Sequence, residues 1–168
     1  MSLDLLVNDF MVLIETSFLK NFAKVISFIF EPEILILASI ILSVFIFFKV
    51  SKKNGFVFSG AMIVTGLLIK IFKELIQRVR PENMLVAETG FSFPSGHATV
   101  SIVFFGLLIA IFSKKKSKII SIIISSILVL LIVFSRIYLR VHWFIDVFGG
   151  LVFGGIILVL SLIVLKKK

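Results

Sequence analysis

The sequence predicts an all-α integral membrane protein: a bundle of about five transmembrane helices preceded by an N-terminal amphipathic segment, with six spans as the alternative. Three observations predict it. Of 168 residues, 60% are apolar and 16% charged, too few charges to cover a water-soluble domain of this size. The apolar residues come in repeated long runs of the kind that cross a bilayer. The lysines cluster between those runs, so the formal charge of +9 reads as loop charge of a membrane protein and points to no nucleic-acid partner. There is no Cys, which excludes disulfides and thiolate metal sites.

Residues 1–30 form the first element. Asp4, Asp9, Glu15, Lys20 and Lys24 interrupt every apolar run there, and a charge at mid-bilayer costs about 2.5–3.5 kcal/mol on insertion scales. The acids Asp4, Asp9, Glu15, Glu31 and Glu33 outnumber the two lysines, which fits the outer side. The segment is expected to lie on the outer interface as an amphipathic stretch of one or two helices; the alternative is a sixth, tilted span with its charges facing the bundle. Without a basic n-region, a cleavable signal peptide is not expected. Glu31-Pro32-Glu33 breaks the chain before the first span and opens the transmembrane domain, 31–168.

Five runs then follow, at roughly 33–50, 56–79, 97–113, 118–139 and 143–165. Asn54-Gly55 supplies a turn between the first two. Lys49, Lys52 and Lys53 lie between spans one and two, Lys114, Lys115, Lys116 and Lys118 between three and four, and Lys166, Lys167 and Lys168 after five. Alternating spans put all three clusters on one face, which the positive-inside rule makes cytoplasmic, the C-terminus included. Gly149, Gly150, Gly154 and Gly155 are read as allowing close helix packing. Tyr138 and Trp143 fit an outer aromatic belt.

The other polar residues gather at the outer ends. Lys73, Gln77 and Arg80, spaced i, i+4 and i+7, share one helical face where the second span ends, and Pro81 closes it. Pro94 suits the first turn of the third span, and Ser95 and Gly96 follow it. Free N–H groups in that turn, backed by the helix dipole, bind phosphate, and His97 stands at the rim. Arg136, near the end of the fourth span, can hold phosphate oxygens through two parallel hydrogen bonds. His142 and Asp146 are spaced i, i+4 at the start of the last span. If that segment is helical, Asp146 accepts from His142 Nδ1–H and leaves Nε2 with a free lone pair, an oriented neutral imidazole able to act as a nucleophile.

Each residue also has a plain structural explanation. Lysines and arginines near span ends snorkel, a lone interfacial His is more often structural, and Glu74 and Arg78 can pair with each other. Spacing assigns no role to Arg78 or Arg140. What outweighs these explanations is convergence: both His of the chain, Asp146 and three cations fall at one membrane face on four separate span ends.

At these residues the sequence resembles the type 2 phosphatidic acid phosphatase superfamily, lipid phosphatases that share a site with vanadium haloperoxidases. The three-part signature KX6RP, PSGH and SRX5HX3D occurs without departure, as Lys73 to Arg80-Pro81, as Pro94-Ser95-Gly96-His97, and as Ser135-Arg136 to His142 to Asp146. The resemblance implies a helical bundle and metal-independent hydrolysis of a lipid phosphoester, with no cofactor. It implies His142 as the nucleophile that forms a phosphohistidine, Asp146 as its holder and His97 as general acid. Lys73, Arg80, Ser95, Gly96 and Arg136 would bind the phosphate oxygens.

The expected function is that of a bacterial-type lipid phosphatase in the cytoplasmic membrane with its site on the outer face. Its partners would be the bilayer and a membrane lipid substrate, and no obligatory protein partner is indicated. Lipid A 1-phosphate, undecaprenyl pyrophosphate and phosphatidylglycerol phosphate are the substrates the resemblance implies, with a lean towards the first two because both present phosphate outward. A non-catalytic lipid-phosphate-binding protein or transporter subunit is the alternative; it needs only the cations and leaves His97, His142 and Asp146 unexplained. A vanadium-dependent haloperoxidase uses similar residues on small soluble substrates, which the five spans argue against.

Overall fold

The computed structural model describes residues 2–167, and its regular elements are seven α-helices. In chain order they are α1 (Leu3–Leu13), α2 (Ser17–Ile29), α3 (Pro32–Lys49), α4 (Lys52–Ile76), α5 (Gly96–Phe112), α6 (Lys118–Tyr138) and α7 (Phe144–Lys166). Helices α3 to α7 match the five predicted runs to within a few residues. Four stretches are long and apolar enough to cross a membrane: the run 17–49, which is interrupted at Phe30–Glu31, and helices α4, α6 and α7. Helix α5 has only 17 residues, about 25 Å at 1.5 Å per residue and less than a hydrocarbon core.

Its shortness is accommodated by its position. Helix α5 is the central element, packed against α3, α4, α6 and α7. Ala98, Thr99, Val100, Ser101, Val103, Phe104 and Leu107 are all buried along it. A helix sheathed by others has no lipid-facing stripe to fill, so its sequence is apolar all round. Helix α6 is the opposite case, with Ile119, Ile120, Ile123, Ile127 and Leu130 exposed and burial concentrated in its last two turns.

Between apolar helices in lipid, close approach of backbones replaces the hydrophobic drive. Gly150 backs onto Ser95 and Thr99, Gly154 onto Thr99 and Ile102, and Gly149 onto the Phe93 ring. Gly155 faces nothing within 4 Å, so the packing role expected of all four glycines holds for three. Buried hydroxyls of Ser43, Thr65 and Ser161 donate to carbonyls four residues earlier in their own helices, which leaves them no need for outside partners.

Three local expectations need correction. Asn54-Gly55 is not the turn; α4 begins at Lys52, with Ser51 Oγ capping it and Gly55 lying in its first turn against the Phe47 backbone. Helix α4 stops at Ile76, because Gln77 adopts a left-handed conformation (φ 49°), so Lys73 and Arg80 do not share a continuous helical face. Tyr138 is wholly buried and belongs to no aromatic belt: its hydroxyl accepts from Thr16 N–H at 2.9 Å.

That last contact belongs to a wider seam. Residues 3–29 form two helices, with Thr16 capping the second, and both pack on α6 while α1 also meets α7. Three polar groups of this segment turn inward: Asp4 is buried, Glu15 in the link between the helices pairs with Arg140 at 2.8 Å, and the Ser27 hydroxyl accepts from Arg136. Far below, Lys53 donates to backbone carbonyls of Leu165 and Lys167. The described lysine clusters and the polar cluster therefore occupy opposite ends of the bundle.

Candidate active site

Four helix ends meet where α1 and α2 fold over the bundle. The irregular segment 77–95 joins α4 to α5 and carries the first pieces. From it, the Arg80 guanidinium reaches Val141 O at 2.6 Å, Gly90 O at 3.1 Å and Thr89 O at 3.2 Å, and stands 3.5 Å from His142 Nε2. Lys73, in the last turn of α4, donates to Phe91 O at 2.5 Å. Both cations thus tie down the loop as well as face the site.

Helix α5 starts two residues after Pro94, which the sequence places in its first turn. Gly96 is its first residue and Ser95 its cap, which places Pro94 outside the helix, after a cis Phe93–Pro94 bond. Ser95 N–H donates to Asp146 O at 3.0 Å, so the start of α5 is tied directly to the first turn of α7. His142 also lies outside a helix: α7 begins at Phe144, after a turn over 139–143. The His142–Asp146 pair is therefore not a helical i, i+4 contact. Nδ1 stands 3.6 Å from Asp146 Oδ2, longer than a hydrogen bond. The Asp146 carboxylate is instead held by Trp143 N–H at 2.9 Å and Arg78 Nη1 at 2.6 Å.

A cavity of about 380 Å³ opens between these parts, bordered by Lys73, Arg80, Gly96, His97, Arg136 and His142. Of the eight residues singled out in the sequence, these six line it; Ser95 and Asp146, both fully buried, stand directly behind. Both imidazoles border the same space. Ile36, Gly66 and Ile69, from α3 and α4, continue its wall into the apolar part of the bundle. Among the described residues, only three buried side-chain polar atoms lack a hydrogen-bond partner: Ser95 Oγ, Arg136 Nε and His142 Nδ1. All three belong to the predicted site, and buried polar atoms elsewhere in proteins are nearly always paired.

Burial pushes the His142 imidazole down to about 3; Arg136 and Arg80 add to that and Asp146 opposes it, so the ring is neutral at ordinary pH. Glu88 touches Arg136 at 2.5 Å and Arg80 at 3.8 Å. Burial raises its pKa, yet the two guanidiniums outweigh that and hold it below the usual carboxylate range.

The sequence reading missed Arg78, Glu88, Asp4, Ser27 and Glu31. Arg78 bridges Asp146 and Asp4 and makes no ion pair with Glu74. Burial opposes its charge, but the two carboxylates win and raise it above the usual arginine value. The one available signal was the acid surplus before Glu33, three members of which find cations or His here: Asp4 with Arg78, Glu15 with Arg140, Glu31 with His97.

Residues 54–168 match the PAP2 superfamily. The chain belongs to that superfamily. Phosphatidylglycerophosphatase B of Bacillus subtilis (strain 168) is 33% identical over 150 residues, 85% of this chain and 73% of that protein. An undecaprenyl-diphosphatase of Sulfolobus acidocaldarius is 31% identical over 121 residues, 68% of this chain and 56% of its own length. The crystal structure of a transmembrane PAP2-type phosphatidylglycerolphosphate phosphatase from Bacillus subtilis superposes with a TM-score of 0.84 at 30% identity. That superposition covers 94% of this chain and 82% of the other, so the helices before residue 54 are largely part of the shared PAP2 fold. The chain is a PAP2-type membrane phosphatase of lipid phosphates.

Proposed function

We propose that this PAP2 protein hydrolyses a phospholipid phosphomonoester or a polyprenyl diphosphate at the outer face of the cytoplasmic membrane, through a phosphohistidine on His142. One observation carries the reading. The buried polar atoms left unpaired belong to Ser95, Arg136 and His142, around a cavity that Lys73 and Arg80 also border. A tetrahedral oxyanion would supply what Ser95 Oγ and Arg136 Nε lack, while His142 Nδ1 faces the Asp146 carboxylate and leaves Nε2 for phosphorus.

His142 Nε2 attacks phosphorus, forming a P–N bond as the bond to the lipid oxygen breaks. His97 gives its proton to that oxygen, because an alkoxide is a poor leaving group. The imidazole becomes a cation as it is phosphorylated, and the Asp146 carboxylate beside Nδ1 stabilises that charge. Water then attacks phosphorus, His97 takes its proton, the P–N bond breaks and His142 returns neutral. Three cations and the N-terminus of α5 hold the equatorial oxygens, which is most of what phosphoryl transfer asks of a protein.

The apolar wall of Ile36 and Ile69 suits a tail that stays in the bilayer while the headgroup reaches the cations. The described lysine clusters lie at the far end of the bundle, which by the positive-inside rule faces the cytoplasm together with the C-terminus. Helices α1 and α2 then lie along the outer interface. Phosphatidylglycerol phosphate is the favoured substrate, since the relative covering more of the chain is named for it. Undecaprenyl diphosphate is the second reading, supported by the archaeal relative; neither relative supports lipid A 1-phosphate.

Phosphate release from a panel of these lipids in detergent, with and without chelator, is the test. Turnover should survive the chelator, His142→Ala should abolish it, and Asp146→Asn should lower kcat by about 100-fold or more while lipid binding persists. Near-normal release by His142→Ala would overturn the mechanism.

A further inference from the structure

We infer that Glu31 is a positioning residue and proton partner for His97: its carboxylate faces the imidazole Nε2, favours the proton-donating ring over the neutral one, and links it to water. The inference rests on the reading of His97 as the general acid. Glu31 lies outside the region that matches the family, 54–168, at the elbow where α2 gives way to α3.

The elbow fixes the side chain. Glu31 N–H donates to Phe28 O at 3.3 Å, its carbonyl accepts from Leu35 N–H at 3.0 Å, and Pro32 starts α3 immediately after it. Its side chain caps nothing in α3. Instead Oε2 stands 3.3 Å from His97 Nε2. The other neighbours of that nitrogen are the Ser27 carbonyl at 3.2 Å and the Ser27 hydroxyl at 3.4 Å, both neutral. Glu31 is the one carboxylate paired with the ring among the described residues.

A general acid must be protonated before it can act, and His97 is placed badly for that. It is 2% exposed, and a buried imidazole sheds its charge unless an anion faces it. Arg136, which donates to the same Ser27 hydroxyl, works against a second positive charge, and Lys73 and Arg80 border the same cavity. On the other side, Glu33 lies two residues along on α3, and Glu88 is already engaged by Arg136 and Arg80. The Glu31 carboxylate supplies the missing negative charge.

Glu31 also reaches solvent. Its side chain is 36% exposed, and it borders both the main cavity and a smaller one of about 220 Å³ on the far side, rimmed by Lys24, Ser27 and Val86. In the proposed cycle His97 gives one proton to the leaving oxygen and regains one from the attacking water, so the ring must be protonated again before each turnover. The half-exposed carboxylate in contact with the buried imidazole is the group through which the resting ring equilibrates with protons of the solvent.

The test uses the full chain in detergent with two substrates, a dioleoyl lipid phosphate and a nitrophenyl phosphate ester whose leaving group needs no proton. His97→Ala serves as reference, and Glu31→Gln, Glu31→Asp and Glu31→Ala are compared with it. Glu31→Gln should lower kcat on the lipid about 10- to 100-fold and on the nitrophenyl ester less than threefold or so. The descending limb of its pH–rate profile should move at least about one unit to lower pH, because the ring then loses its proton more easily. Glu31→Ala should behave the same way, and Glu31→Asp should recover much of the lipid rate. If His97→Ala discriminates between the two esters while Glu31→Gln slows both equally or leaves the limb in place, Glu31 is only structural and the inference fails alone. If His97→Ala does not discriminate, the reading of His97 as acid fails and takes this inference with it.

Discussion

Gly150→Ala adds one methyl group where α7 crosses the start of α5. The new Cβ would stand 2.8 Å from Ser95 O, 3.0 Å from the Ala98 Cβ and 3.0 Å from Thr99 Oγ1. The Ser95 oxygen cannot swing aside, since it is main chain and already accepts from Thr99 N–H at 3.1 Å and Thr99 Oγ1 at 2.8 Å. Relief requires the two helices to part by about half an ångström, and overpacking of this kind costs about 1–3 kcal/mol. The separation bears directly on chemistry. Ser95 and His97 sit at the start of α5 and Asp146 in the first turn of α7, joined through Ser95 N–H to Asp146 O at 3.0 Å. A misplacement of about 1 Å can cost a hundredfold in rate, so a loss of about tenfold in kcat is expected, with little change in KM. Gly155→Ala is the control on the same helix: its Cβ would meet nothing within 4 Å, and rate and stability should stay within about 0.5 kcal/mol of the parent. Phosphate-release kinetics and thermal unfolding in the same detergent read both variants. A Gly150→Ala protein with parental kcat would refute the claim that helix spacing sets the site.

Two further outcomes are open to measurement. Arg78→Ala leaves the buried carboxylates of Asp4 and Asp146 facing each other without their cation; the guanidinium is 27% exposed, so the loss should fall below that of a fully buried pair, at about 2 kcal/mol. Thermal unfolding reads it, Arg78→Lys should restore part of it, and an unchanged melting temperature in Arg78→Ala would contradict the bridge. The His142 pKa is lowered from 6.5 to about 3 in the folded protein, so below pH 6.5 the unfolded chain binds the extra proton. Stability should then fall as pH drops from 6.5 towards 3, by about 1.4 kcal/mol per unit from this group. His142→Asn removes that dependence, and denaturation followed from pH 7 to 4.5 should show a shallower loss than in the parent; equal slopes would mean that His142 is not buried neutral.

The spans were legible because lipid demands long apolar runs, and runs such as 118–139 announce themselves. The convergence of Lys73, Arg80, His97, Arg136 and His142 on one cavity was legible too, since alternation alone puts those ends together. Local geometry was harder. Gln77 ends α4 by adopting a left-handed conformation, which nothing in its neighbours signals, and Arg80 consequently reaches the site from a loop. His142 looked helical by spacing, whereas the chain turns over 139–143 and Trp143 becomes the residue that caps α7. Hidden most deeply were contacts between distant parts of the chain. Asp4 to Arg78 and Glu31 to His97 have no sequence period, and the only trace they left was an excess of acids near the start, which on charge alone reads as an outward-facing segment.

The inward-facing polar groups of α1 and α2 set a lower limit on the size of a working enzyme. A fragment cut at residue 54, where recognisable family sequence begins, would still contain every signature motif. It would leave Arg78 with one carboxylate instead of two, Arg140 without Glu15, Arg136 without the Ser27 hydroxyl and His97 without Glu31. Stranded charges of that kind, at the end where the reaction is proposed to occur, would leave such a fragment complete by motif and incomplete by electrostatics. The same holds for substitutions: neutralising Asp4, Glu15 or Glu31 removes a partner of Arg78, Arg140 or His97, however far each acid lies from the motifs in sequence.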